Sequence, residues 1–171
     1  AKISLATAYL DIPDVVVGMN DLFYKDTGFL NDKNNLINYS NNKMFRDEAG
    51  VLFDIADDEV ESAQNTFRIN SQTTDEDKIE ALIDETYTAT SKVADALKRT
   101  KIAIDKIEAN ISSGQSTSGV TAAQTNVSSW TSKVNSRLND LIAAKTAIRS
   151  AKNSVESATR TIVERKNSVN D

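Results

Sequence analysis

Aliphatic side chains recur at every seventh position over the last third of the chain. The repeat has eight members without a gap: Val120, Val127, Val134, Leu141, Ile148, Val155, Ile162 and Val169. A strict seven-residue repeat keeps one stripe of a helix against a partner helix along its whole length. The pattern predicts a long helix over residues 119–170. The position three residues further on is mostly alanine, with Trp130 among them, and we expect this indole to pack inside.

A second apolar stripe runs through residues 75–112 in alternating steps of four and three. Its aliphatic members are Ile79, Ile83, Val93, Leu97, Ile104, Ile107 and Ile111, with Thr86, Thr90 and Thr100 between them. Acidic residues at positions 75–77 follow two threonines, which suits a helix N-terminus. The stripe predicts a helix over 75–112, and a shorter periodic stretch predicts another over about 50–70.

Between the two stripes lies a polar run, residues 112–119, that has two glycines and no apolar residue. Such a loop predicts that the helices fold back as an elongated antiparallel hairpin, or as a three-helix coiled-coil bundle with 50–70 included. The last helix is the longer arm by about 20 Å. We expect the helix over 50–70 to cover that overhang.

Charge is unevenly distributed along the chain. Residues 1–73 have 12 acids and 6 bases (−6), residues 74–112 have 9 and 6 (−3), and residues 113–171 have 4 and 8 (+4), which gives the net −5. The acidic helix over 75–112 should therefore pair with the basic helix over 119–170. This charge pairing determines which helices pair more than it adds to the free energy of unfolding.

The first 45 residues have a less regular pattern. Asp11 and Pro13 suit the start of a short helix at Val15–Tyr24, although three consecutive valines suit a strand equally well. We predict an all-α protein with a small, irregular, partly helical head or docking region over 1–45 and a helical bundle over 46–171. Aromatic residues of the head are the candidate docking residues: Phe23, Tyr24, Phe29 and Tyr39.

Composition excludes most site chemistry. The chain has no cysteine and no histidine, so thiolate or imidazole metal sites and imidazole-based triads cannot form. We expect no catalytic residues, no cofactor and no metal. The acidic group at 54–61 is interpreted as a solvated helix face, and the dispersed basic residues do not indicate nucleic acid. No apolar run is long enough for membrane insertion.

The long heptads over residues 50–171, in a chain rich in Ser, Thr, Asn and Ala, resemble the helical parts of phage tail, neck, collar and fibre proteins. This resemblance implies a rod-like, non-catalytic structural component of a multi-subunit assembly. Its partners would be further copies of the chain and neighbouring subunits, and its location a virion or an extracellular assembly. The alternative is a helical binding module on a cell surface, similar to an adhesin, that captures ligand through the N-terminal aromatics.

Overall fold

The structure is a computed structural model that describes residues 1–31, 37, 42–111 and 118–170, with side chains as far as residue 168. Within these ranges the chain forms four α-helices and no strand: α1 (Lys2–Tyr24), α2 (Asn42–Asn70), α3 (Glu76–Ala109) and α4 (Ser118–Asn170). The predicted all-α class is confirmed. The observed helix bounds lie within a few residues of those expected for the last two helices, and α2 begins eight residues before the expected position 50.

Consecutive helices run antiparallel. Along α1 and α2, the ring of Tyr9 stacks on Phe67 at 4.0 Å and the ring of Phe23 stacks on Phe53 at 5.5 Å, so the sequence numbers run in opposite directions. Along α2 and α3, the Asn110 side chain donates to Oδ1 of Asn42 at 2.7 Å. These contacts align α1, α2 and α3 side by side.

The last helix returns along both α3 and α1. Gln124 Nε2 donates to Glu108 at 2.7 Å near one end, and Lys152 Nζ donates to Asp77 at 2.6 Å near the other. Contacts join α4 to α3 and to α1, whereas within the described residues α4 does not contact α2. The sequence predicted that the helix over 50–70 covers the overhang of α4. This prediction is wrong, because α2, throughout its described residues, does not contact α4. Its buried side chains Ala56, Val60 and Ala63 belong instead to the core beside α3.

The sequence predicted an irregular, partly helical head over residues 1–45. Residues 2–24 of this region form one continuous helix. Pro13 lies inside α1 and does not start it. An internal proline removes one backbone hydrogen bond and costs about 3 kcal/mol. The helix continues because apolar side chains are buried on both sides of the proline, at Leu5, Ala8, Ile12, Val15, Val16, Met19, Leu22 and Phe23. The residues from Ile12 to Phe23 share a core with α2, α3 and α4, and Leu5 and Ala8 belong to a second buried cluster with residues of α3 and α4.

Helix α3 begins with a side-chain cap. The Asp75 carboxylate accepts hydrogen bonds from the backbone N–H groups of Asp77 and Lys78, and Thr73 Oγ1 accepts from the N–H of Asp75. Acidic groups here also interact favourably with the positive end of the helix dipole. The cap fixes the position at which α3 begins, and this position determines how far α4 extends beyond α3.

Candidate protein-docking surface

Helix α4 extends well past the end of the bundle. Among the described residues, its last hydrogen bonds to another helix are made by Lys152, whose Nζ donates to Oδ1 of Asp77 at 2.6 Å and to Oε2 of Glu80 at 3.0 Å, in the first turns of α3. Beyond this residue, every side chain from 153 to 168 is exposed. We call residues 153–170 the α4 extension. At about 1.5 Å per residue, it is roughly 27 Å long.

The heptad stripe of α4 consequently has two different parts. Val120, Val127, Val134 and Leu141 are fully buried, and Ile148 is half-buried. Val155 and Ile162 continue the same repeat but are each 66% exposed, and Val163 beside them is also exposed. The seventh-residue repeat thus continues into a region where no part of the described chain covers it. The side chain of Val169 lies outside the described residues.

The predicted stripe on α3 lies in the core. Ile83, Val93, Leu97, Ile104 and Ile107 are buried, while Ile79 and Ile111, at its two ends, are half-buried. The three threonines of the stripe are buried as well, and each donates its hydroxyl to the carbonyl four residues earlier: Thr86 to Leu82, Thr90 to Thr86 and Thr100 to Ala96. Each buried hydroxyl is therefore hydrogen-bonded within its own helix. The small threonine side chains also let a neighbouring helix approach α3 closely.

Two residues of α4, each three positions after a member of the heptad stripe, contact α1. Trp130 is half-buried and packs against the core beside Gly18. Arg137, seven residues further along α4, forms an ion pair with Asp11 across the helices at 3.2 Å and with Asp140 at 2.8 Å. Lys133 also approaches Asp11, at 3.6 Å. These contacts fix the register of α1 against α4.

Ion pairs hold α4 against α3 immediately before the extension begins. Lys145 pairs with Asp84, and Arg149 Nε donates to Oε1 of Glu80 at 3.0 Å. The hydrogen bonds from Lys152 and Arg149 lower the pKa of Glu80, and those to Asp77 and Glu80 raise the pKa of Lys152 to about 12. The expected pairing of the acidic and basic helices is present, and along α4 it stops at Lys152, which lies beside the first turns of α3.

A second uncovered apolar row lies on the outside of α1. Ile3, Leu10 and Val17 are seven residues apart and are 83%, 72% and 62% exposed. We call these three residues the α1 outer row. We did not predict it from the sequence, although its seven-residue spacing was readable. Aliphatic side chains occur on most sides of α1, and this hides a single periodic face.

Beside the α1 outer row, α1 and α2 enclose a groove of about 490 Å³, lined by Ala6, Tyr9, Leu10, Gln64, Asn65, Phe67 and Arg68. Further along, α2 has acidic side chains at Asp54, Asp57, Asp58 and Glu61. Burial and the neighbouring Asp58, Glu61 and Asp54 charges raise the pKa of Asp57. In the part of the chain that the structure describes, no acidic cluster is placed to hold a metal ion. The surface combines apolar contacts with negative charge.

The aromatic residues predicted for docking are mostly in other environments. Phe23 and Phe29 are buried in the core. Tyr24 is exposed and donates its hydroxyl to Oδ1 of Asp54 at 2.6 Å. Tyr39 lies outside the described residues. The predicted aromatic patch is therefore not a surface feature at Phe23 and Phe29, because these rings fill the space between α1 and its neighbours.

None of the described helices is both long enough and apolar enough to cross a membrane. Comparison of the chain with protein families, with curated proteins and with solved structures found no match. The residues of the surface themselves indicate what it can bind. It has two unpaired apolar rows on helices and charged groups beside them, which are the features of a helix-to-helix protein interface.

Proposed function

We propose that this protein is a non-catalytic structural subunit of a larger protein assembly, and that the α4 extension is its attachment point. The observation that carries the proposal is the exposure of Val155 and Ile162 in a heptad repeat that is fully buried over Val120–Leu141. A surface helix with a purely solvent-facing role would need no aliphatic residues at these positions. An apolar stripe of this kind on a helix is normally buried against a partner helix, because this removes its aliphatic side chains from water.

The bundle supports this role by holding α4 firmly up to the start of the extension. Arg149 and Lys152 pair with Glu80 and Asp77, and Asp75 caps α3 directly below them. An 18-residue helix is near the length at which isolated helices become marginal in water, so continuation from an anchored helix helps it to form. The extension is thus presented as an ordered docking element.

Within this class, a virion component of a phage tail, neck, collar or fibre is the proposal that the composition and long heptads of residues 50–171 favour. Such assemblies are built from repeated copies of helical subunits in contact with neighbours. The adhesin-like alternative depended on exposed N-terminal aromatics, and it loses support because Phe23 and Phe29 are buried.

The proposal can be tested by site-specific photo-crosslinking in the native assembly. A photoreactive residue replaces Ile162 in the apolar stripe of the full chain, and a matched variant carries it at the exposed Ser157 on the opposite side of α4. We expect protein adducts of defined mass from position 162 and few from position 157. Equal labelling at both positions, or none at 162, would overturn the proposal.

A further inference from the structure

The α4 extension and the α1 outer row are two uncovered surfaces of the same kind on one molecule. Val155 and Ile162 are seven residues apart, as are Ile3 and Leu10. All four side chains are at least 66% exposed. Equal spacing lets two parallel helices keep their apolar residues in register over successive heptads. Within one molecule the two surfaces cannot meet, because the extension points away from the bundle beyond Lys152.

We propose that the occupant of both surfaces is a second copy of this chain: the α4 extension of each copy lies along the α1 outer row of the other, in a symmetric dimer. The inference rests on the proposed function, since it names the partner of the same attachment element. A two-fold arrangement uses the same two surfaces on both copies and closes after two molecules.

The fold sets the direction of this contact. The start of α1 lies at the end of the bundle from which α4 emerges, since Leu5 and Ala8 share a buried cluster with Leu141 and Ala144. When two copies meet at these ends, each extension leaves its own bundle in the direction in which the partner's α1 runs. The two helices are then parallel, with Val155 at the level of Ile3 and Ile162 at the level of Leu10.

The charges fit this direction. Arg165 and Lys166 follow Ile162 by three and four residues, so that they flank the stripe on its two sides. On the receiving surface, Asp14 follows Leu10 by four residues. Glu61 of α2 lies near the same level, because Tyr9 stacks on Phe67 and Phe23 stacks on Phe53 along the antiparallel pair. The basic pair of the extension therefore reaches acids on both sides of the row.

The opposite direction fits less well. With the extension antiparallel to α1 and Val155 at the level of Leu10, Arg165 and Lys166 would lie near Lys2 at the start of α1, away from Asp14 and Glu61. A pairing of two extensions with each other fits less well too. In a parallel pair of extensions, Arg165 of one copy would face Arg165 of the other beside the apolar stripe. The α1 outer row would also remain uncovered. Charge and spacing together select the exchange between α4 and α1.

The experiment is sedimentation equilibrium of the full chain from about 1 μM to about 300 μM, a range suited to dissociation constants near the micromolar value typical of small interfaces. We expect a monomer–dimer equilibrium with no larger species. Leu10→Asp on α1 and Ile162→Asp on the extension should each raise the dissociation constant at least tenfold. Ser157→Asp, on the opposite side of the extension, should leave it unchanged. Circular dichroism in dilute solution, where the chain is monomeric, should show unchanged helicity and melting for all three variants, because each position is exposed.

A mixture of the two weakened variants gives the decisive test. The Leu10→Asp chain keeps a normal extension and the Ile162→Asp chain keeps a normal outer row, so an equimolar mixture should dimerise more strongly than either variant alone. Three results would overturn the inference: a monomer at every concentration, a dimer that Leu10→Asp leaves intact, or species that grow beyond the dimer. A monomer whose position 162 still crosslinks to another protein would overturn this inference and leave the proposed function standing. A monomer without such adducts would overturn both.

Discussion

The indole of Trp130 on α4 lies directly against Gly18 on α1. A Cβ atom at position 18 would lie 2.9 Å from Cε2 of the ring, closer than side-chain carbons approach one another. The absence of a side chain at Gly18 therefore lets the only tryptophan of the chain close the space between the two helices. This contact, together with the Asp11–Arg137 ion pair, attaches α1 to α4.

Gly18→Ala should therefore destabilise the protein in spite of the higher helix propensity of alanine. We expect a loss of about 1–3 kcal/mol in the free energy of unfolding, because the ring must move. Gly50→Ala in α2 is the matched control, since a Cβ there meets no atom closer than 3.9 Å. It should stabilise by about 0.5–1 kcal/mol. Urea unfolding followed by tryptophan fluorescence measures both, and two changes of the same sign would contradict the contact.

The half-buried Tyr9 binds Thr86 through its hydroxyl, between α1 and α3. Thr86 Oγ1 donates to the carbonyl of Leu82, so it accepts from the Tyr9 hydroxyl, at 2.6 Å. Burial raises the pKa of Tyr9 to about 12, opposed in part by this hydrogen bond. Tyr9→Phe should cost about 1 kcal/mol of stability, as for a typical hydrogen bond. Thermal or urea unfolding of the variant measures this loss.

The pH dependence of Tyr9 follows from the direction of its shift. The folded state keeps the phenol neutral to higher pH than the unfolded state, whose ordinary value is 10.0. The contribution to stability is complete below about pH 10 and is lost as pH rises toward about 12. Absorbance of the ionised phenol measures the titration. If all tyrosines of the folded protein ionised together near pH 10, the half-buried position of Tyr9 would be wrong.

Glu80 and Lys152, at the start of the α4 extension, titrate outside their ordinary ranges. The lowered pKa of Glu80 means that its contribution to stability is present above its ordinary value of 4.5 and is lost as pH falls through the folded value. The raised pKa of Lys152 means that its contribution is present below 10.5 and is lost as pH rises through about 12. Lys152→Met should bring the pKa of Glu80 back toward 4.5, as measured by side-chain NMR titration. An unchanged Glu80 titration would contradict the contact.

Truncation should destabilise the protein strongly at one position of the heptad stripe and hardly at all at another. Leu141 is fully buried, and Leu141→Ala should cost about 2–5 kcal/mol. Ile162 holds the same heptad position in the uncovered extension, and Ile162→Ala should change the stability of the dilute monomer by less than about 0.5 kcal/mol. Chemical denaturation at low protein concentration measures both. Similar losses at the two positions would mean that the extension is covered within its own chain.

Regular periodicity made α3 and α4 predictable from the sequence. The residues of the α4 stripe from Val120 to Leu141 are buried as expected, and the acidic and basic arms pair at Asp84–Lys145 and Glu80–Arg149. The overhang of α4 was also readable from the unequal lengths of the stripes. What covers the overhang was not readable, because periodicity shows that a face is apolar and does not show which helix meets it.

The predicted helix at Val15–Tyr24 is part of α1, but the sequence placed the start of this helix too late, for a physical reason. Core residues such as Leu5 and Ile12 alternate with exposed residues such as Leu10 and Val17, so the helix has apolar side chains on opposite sides. Neither face stands out in such a pattern, and Pro13 suggested a helix start in the middle of the element. The α1 outer row was missed for the same reason. Tertiary packing decides which of the two faces is buried.

Hydrogen exchange along α4, measured by mass spectrometry on the full chain at low concentration and again in the assembled state, tests the central claim most directly. In the dilute chain we expect strong protection of amides over 120–148 and weak protection over 153–168, because only the first stretch is covered by other helices. Assembly should slow exchange over 153–168. Equal protection of both stretches in the dilute chain, or no gain over 153–168 on assembly, would contradict the claim that this part of α4 is a docking helix.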